Sequence, residues 1–125
     1  MFLVGDLKKS CDHPFVRDKR FEFIICSYKS GDHGKFHWHS EVDEFEIVTE
    51  GRIGYYFVES GRTDWYSTGD LSYIPAGCCV KRIVNESART IAIKIPSSAE
   101  KVHCRICDRN CSHRVEAYQK YVSKP

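Results

Sequence analysis

No hydrophobic run in this chain approaches the roughly 20 residues that a membrane-spanning helix needs. The apolar run at its start is four residues long and ends ahead of Asp6. That is too short for the core of a secretory signal, so a soluble cytoplasmic protein is expected. Charge of one sign is also scarce. Lys and Arg number 19 against 17 Asp and Glu, a net +2 with no long block of either sign. This excludes the basic footprint of a nucleic-acid binder and gives no reason to expect a membrane-surface partner. There is no internal repeat and no low-complexity tract, and helical periodicity is nearly missing before residue 96.

What the chain does have is a core and strands. With 125 residues, 42% hydrophobic and 13% aromatic, it fits one globular domain. Phe2-Leu3-Val4 reads as an edge strand, followed by a polar connection with Cys11, His13 and Pro14. Phe21 to Tyr28 is rich in β-formers. Ile53 to Val58 and Thr63 to Tyr66 flank Ser60-Gly61, which is hairpin chemistry. Leu71 to Ile74, Val80 to Val84 and Thr90 to Ile95 supply three more short strands. Short strands at this spacing predict an antiparallel sandwich or barrel of the jelly-roll kind.

The chemistry concentrates between Gly31 and Gly51. His37 and His39 alternate with Phe36 and Trp38, so a strand would turn both imidazoles to one face and both aromatic rings to the other. Glu44-Phe45-Glu46-Ile47-Val48 alternates again after a short turn, and as an antiparallel neighbour it would bring Glu44 beside the histidines. Two imidazoles and a carboxylate with open positions suit Fe(II), and also Zn, Ni, Co or Mn.

The same residues carry a family resemblance. Gly31, His37, His39, Glu44 and Gly51 spell G-x5-H-x-H-x4-E-x6-G, which resembles the first motif of the cupin superfamily at every position. Residues 69 to 77 match G-x5-P-x-G, the opening of the second motif, which spans 69-85. The continuation departs from the pattern. Val80 stands where the family's fourth metal ligand would be, and Asn85 comes one place late. The resemblance implies a single all-β, antiparallel, RmlC-like jelly-roll barrel over 1-96, with a divalent ion, Fe, Ni, Mn or Zn, in the barrel. Cupin-like sensor domains attached to AraC-type regulators keep the barrel and bind a ligand without metal, so a metal-free site is the competing expectation.

Glu46 shares the face of Glu44 by parity, so Glu44 and Glu46 are the candidate catalytic carboxylates, with Glu46 as base or substitute ligand. An exposed place at a bulge is the plainer reading of Glu46. Tyr55, Phe57 and Trp65 are the candidate ligand-binding wall, against the plainer reading that they are core. Phe36, Trp38, Phe45 and Ile47 should face outward, and covering them points to a homodimer.

Seven cysteines in a chain without a secretory signal read as thiols or metal ligands before disulfides. Cys104, Cys107, Cys111 and His113, in the tail spanning 97-125, offer the ligand count of a structural Cys3His zinc site. The run also resembles part of an iron–sulfur ligand set, and reduced, redox-prone thiols are the alternative. Cys78 or Cys79 is placed to replace the ligand lost at Val80, while Cys11 and Cys26 read as buried residues and His13 and His33 as loop histidines. Val115, Tyr118 and Val122 predict a short C-terminal helix.

Two functions stay open. One is a metal-dependent cupin that binds or transforms a small polar molecule by dioxygenase, isomerase or lyase chemistry. The other is a metal-free sensor, which the sequence supports less because no helix-turn-helix accompanies it.

Overall fold

The computed structural model describes residues 2–5, 16–98 and 102–103. These form eleven strands and no helix: β1 Phe2–Gly5, β2 Val16–Arg17, β3 Glu22–Tyr28, β4 His37–Trp38, β5 Asp43–Glu50, β6 Arg52–Phe57, β7 Arg62–Ser67, β8 Leu71–Ile74, β9 Val80–Ile83, β10 Ala88–Ile95 and β11 Val102–His103. Two sheets face each other, in the orders β2-β1-β3-β10-β5-β8 and β11-β4-β9-β6-β7. Every pairing is antiparallel except the short β1–β2 ladder. The expected C-terminal helix, Cys11, His13 and the cluster of Cys104, Cys107, Cys111 and His113 lie outside the described residues.

Alternation explains which side chains fill the space between the sheets. On β6, Ile53, Tyr55 and Phe57 point inward and are buried, while Arg52 and Tyr56 point out. On β5 the inward set is Glu44, Glu46 and Val48. Ile53, Val48 and Val84 are fully buried, each contributing about 1.5–3 kcal/mol relative to exposure. Outward-facing Gly54 leaves room for the Trp65 ring directly opposite, since a methyl group there would sit 2.9 Å from it.

One expectation about assembly is corrected. β4 and β5 are not neighbours in a ladder. β5 pairs with β10 and β8, and β4 pairs with β9 and β11. The chain crosses between the sheets over residues 39–42, so Glu44 reaches the histidines across the barrel. The histidine strand is also short, because only His37 and Trp38 hold strand geometry.

Two of the glycine-bearing turns lock this arrangement. Gly51 has φ +77°, and a Cβ there would lie 2.3 Å from the Ser87 carbonyl oxygen, so no other residue fits without moving backbone. Gly77, with φ +83°, donates its N–H to the His39 carbonyl at 2.6 Å. Beside it, Ala76 N–H and the Tyr73 hydroxyl both donate to Asp43 Oδ1, at 2.9 and 3.2 Å. The Pro75-Ala76-Gly77 turn thus clamps the chain on both sides of the crossing that carries His39 to Glu44.

Candidate metal centre

His37, His39 and Glu44 converge. One donor atom from each lies within 4.8 Å of the other two. The histidines are 7% and 4% exposed, and their rings stand nearly perpendicular with centroids 5.5 Å apart. His37 Nδ1 is 2.8 Å from the Lys35 carbonyl oxygen. A carbonyl only accepts, so Nδ1 carries the proton and the Nε2 lone pair is left for an ion. His39 Nε2 is 3.7 Å from Glu44 Oε2, a spacing suited to two ligands of one ion. Chemically this donor set fits a divalent ion: two neutral imidazoles and one carboxylate leave it positively charged with open positions.

Val80 is the direct register partner of His37 and of Phe57, and it is 1% exposed. An isopropyl group therefore occupies the place of the missing fourth ligand. Among the described residues the converging donors include no cysteine. Cys78 and Cys79 are buried, and burial pushes the Cys78 thiol up to about 12, with the nearby Glu59 and Cys79 adding to the shift. Cys26 is half-buried on β3. His33 is exposed, and its Nδ1 accepts from Val84 N–H at 3.0 Å.

Glu46 is not at an exposed bulge. It is 1% exposed, two residues along β5 from Glu44 on the same face. Tyr55 donates its hydroxyl to Oε1, while Tyr28 and Thr90 donate to Oε2 at 3.2 and 2.5 Å. Burial raises the carboxyl above its ordinary value; the three hydrogen bonds oppose that, and the charge of Glu44 adds to it. Burial likewise raises the phenols of Tyr55 and Tyr28, with the charge of Glu46 next in importance. These two hydroxyls stay protonated and act as fixed donors.

Tyr55 and Phe57 face the interior, and both belong to the buried core cluster. Trp65 does not join them. It lies on the outer face across from Gly54, with the Arg52 guanidinium 4.2 Å from its ring centre. The neighbouring Tyr66 turns inward instead, 6.4 Å from Tyr55 between ring centres. Sequence reasoning missed Tyr28, Thr90 and Tyr66. Parity within one strand says which residues share a face, but only the register between strands tells which face is the interior.

The two-sheet antiparallel fold is the one shared by solved structures of cupin proteins. By sequence, no family model and no curated protein matches it. Among solved structures it is similar to the EutQ protein of Clostridium difficile, at 26% identity and TM-score 0.54. That alignment covers 63% of this chain and 54% of the other, so the shared part spans about half of the Clostridium protein. A sugar phosphate isomerase of the cupin superfamily from Silicibacter pomeroyi aligns at 24% identity and TM-score 0.59, over 70% of this chain and 58% of that one. The polyketide cyclase RemF from Streptomyces resistomycificus aligns at 18% identity and TM-score 0.64, over 82% and 70%.

Proposed function

We propose that this chain is a metal-dependent small cupin that binds or transforms a small polar molecule inside its barrel. The observation that carries this reading is the convergence of His37, His39 and Glu44 within 4.8 Å, with His37 held in the tautomer that offers Nε2. Fe, Ni, Mn or Zn suits the donor set, and a bound ion would act as a Lewis acid toward a substrate oxygen. The similarity to a sugar phosphate isomerase and to a polyketide cyclase supports small-molecule work in the barrel. Isomerase, lyase and dioxygenase steps all remain within reach of such a site.

In this reading the protein's own groups divide the labour. His37, His39 and Glu44 hold the ion. Tyr55 and Phe57 exclude water from the wall facing it. Glu46 holds or accepts a proton at its carboxylate oxygens, where Tyr55, Tyr28 and Thr90 fix its orientation. Cys26 and Cys78 are free cysteines, which supports work in the reducing cytoplasm. The tail residues Cys104, Cys107, Cys111 and His113 are proposed as a second, structural zinc site on ligand count alone.

The second reading is a metal-free ligand-binding barrel, in which the two histidines and Glu44 hydrogen-bond the ligand directly. Val80 in place of a fourth ligand is what favours it. Elemental analysis of the untagged protein separates the two. A divalent ion bound stoichiometrically in the wild type and lost from the His37→Ala, His39→Ala double variant is the expected result. Unchanged metal content in the variant would overturn the barrel site, and any zinc that persisted would then belong to the cysteine tail.

A further inference from the structure

A charged side chain with no charged partner among the described residues lies on the interior face of the barrel. Arg82 sits two residues beyond Val80 on β9 and is the register partner of Tyr55, so it shares the inward face with both. Its guanidinium carbon lies 4.3 Å from the centre of the Tyr28 ring, whose hydroxyl donates to Glu46. This stack bridges β9 in one sheet and β3 in the other. Among the described residues the guanidinium makes one long hydrogen bond, from Nη2 to the Asp32 carbonyl at 3.4 Å. Its Nε is buried without a hydrogen-bond partner. Among the described residues no carboxylate pairs with Arg82.

Each of these facts points to a missing anion. A guanidinium stays charged at any ordinary pH and presents planar donors that match a carboxylate or phosphate two at a time. Stacking on an aromatic ring holds the plane of the fork without using its donors. A buried donor with no partner is unfavourable, and a ligand oxygen would satisfy it. With a divalent ion at His37, His39 and Glu44, the interior keeps net positive charge whichever protonation state Glu46 takes. A neutral ligand would leave that charge uncompensated.

We propose that Arg82 anchors an anionic group, a carboxylate or a phosphate, on the small molecule held beside His37, His39 and Glu44. This inference rests on the metal-dependent reading above and names the class of its ligand. Val80 marks the level of His37, and Arg82 lies about 7 Å further along the strand. The ligand is therefore compact, with its anionic end a few carbons from the oxygen that faces the histidines. Gly34 borders the same place. Its N–H donates to the Arg82 carbonyl at 3.0 Å, and a Cβ on it would come 3.2 Å from Arg82 Cβ.

The test is calorimetric titration of wild type, Arg82→Gln and Arg82→Lys with inorganic phosphate and, separately, succinate. It is run at low ionic strength on metal-loaded and chelator-treated protein, with metal per chain counted in each. The expected result is binding of at least one probe to the wild type, weakened tenfold or more in Arg82→Gln and less in Arg82→Lys, with metal content unchanged. Preference for phosphate or for succinate then tells which anion the anchor reads. Equal binding by Arg82→Gln, or no binding of either probe to the wild type, overturns the anchor while leaving the metal reading intact. A wild type without metal whose Arg82-dependent anion binding persists overturns the metal reading and keeps the anchor. Should Arg82→Gln fail to fold, phenylglyoxal modification of the wild type replaces it. Bound phosphate or succinate is expected to protect Arg82, read by peptide mass, and failure to protect overturns the inference.

Discussion

Val80 is the residue that most separates this barrel from the motifs it otherwise matches. Its isopropyl group lies directly opposite His37 at 1% exposure, on the face that an imidazole would need to share. Restoring a histidine there should add a donor to the three that converge. Val80→His is expected to raise divalent-ion affinity at least about tenfold, the size of effect that even outer-shell partners have. Competition with a chromogenic chelator measures it, and unchanged affinity would mean that the donors of His37, His39 and Glu44 do not surround an ion. The metal-free variant should be less stable by about 1–3 kcal/mol, since a larger side chain must enter a filled core. Glu46 shows how far one residue can be read without its neighbours. Parity put it on the face of Glu44, but its burial beneath Tyr28, Tyr55 and Thr90 depends on strands that are distant in sequence.

Among the elements, the turns do more than the strands to place the histidines. β4 is two residues long, too short to orient His39 through a ladder. The 75–77 turn does so instead, through Gly77 N–H to the His39 carbonyl and Ala76 N–H to Asp43. This gives the two motifs a physical link, because the second holds the backbone of the first. Gly51 works at the other end of β5. Gly51→Ala is expected to lower stability by about 2 kcal/mol or more, combining a left-handed backbone penalty of about 1–2 kcal/mol with a contact to Ser87 that forces backbone to shift. Urea unfolding checks this. A loss below about 0.5 kcal/mol would show that the turn relaxes freely.

For the whole molecule, the outer face of the larger sheet has one feature of consequence. Register sets two apolar rows across four strands: Ile25, Ile91, Ile47 and Leu71 in one, Phe23, Ile93, Phe45 and Tyr73 in the other. Phe45 and Tyr73 stack with centroids 4.8 Å apart, and Leu71 is 56% exposed. We propose that a contiguous apolar face of this extent is covered in a homodimer, as the sequence led us to expect, because a second copy would bury it isologously. The Ile47→Lys, Leu71→Lys double variant should sediment as a monomer where the wild type sediments as a dimer. A wild type that already sediments at 14.5 kDa would remove the dimer from the proposal. No helix among the described residues is long and apolar enough to cross a membrane.

The antiparallel jelly-roll architecture and the side chains of His37, His39 and Glu44 that converge were legible in the order of residues, the likeness to cupins through a motif resemblance. Strand alternation has a period of two and turn glycines have a conformational reason, and both are local properties that a short stretch of sequence records. The route by which Glu44 meets His39 was not legible, since an antiparallel neighbour and a crossing to the opposite sheet demand the same spacing. Nor was the outward turn of Trp65 in place of Tyr66, the burial of Glu46, or the place of Arg82 against Tyr28. Each of these depends on which strands lie side by side and in what register. Register is set by the packing of the whole barrel, so only the tertiary structure decides which of several plausible side chains enters the site.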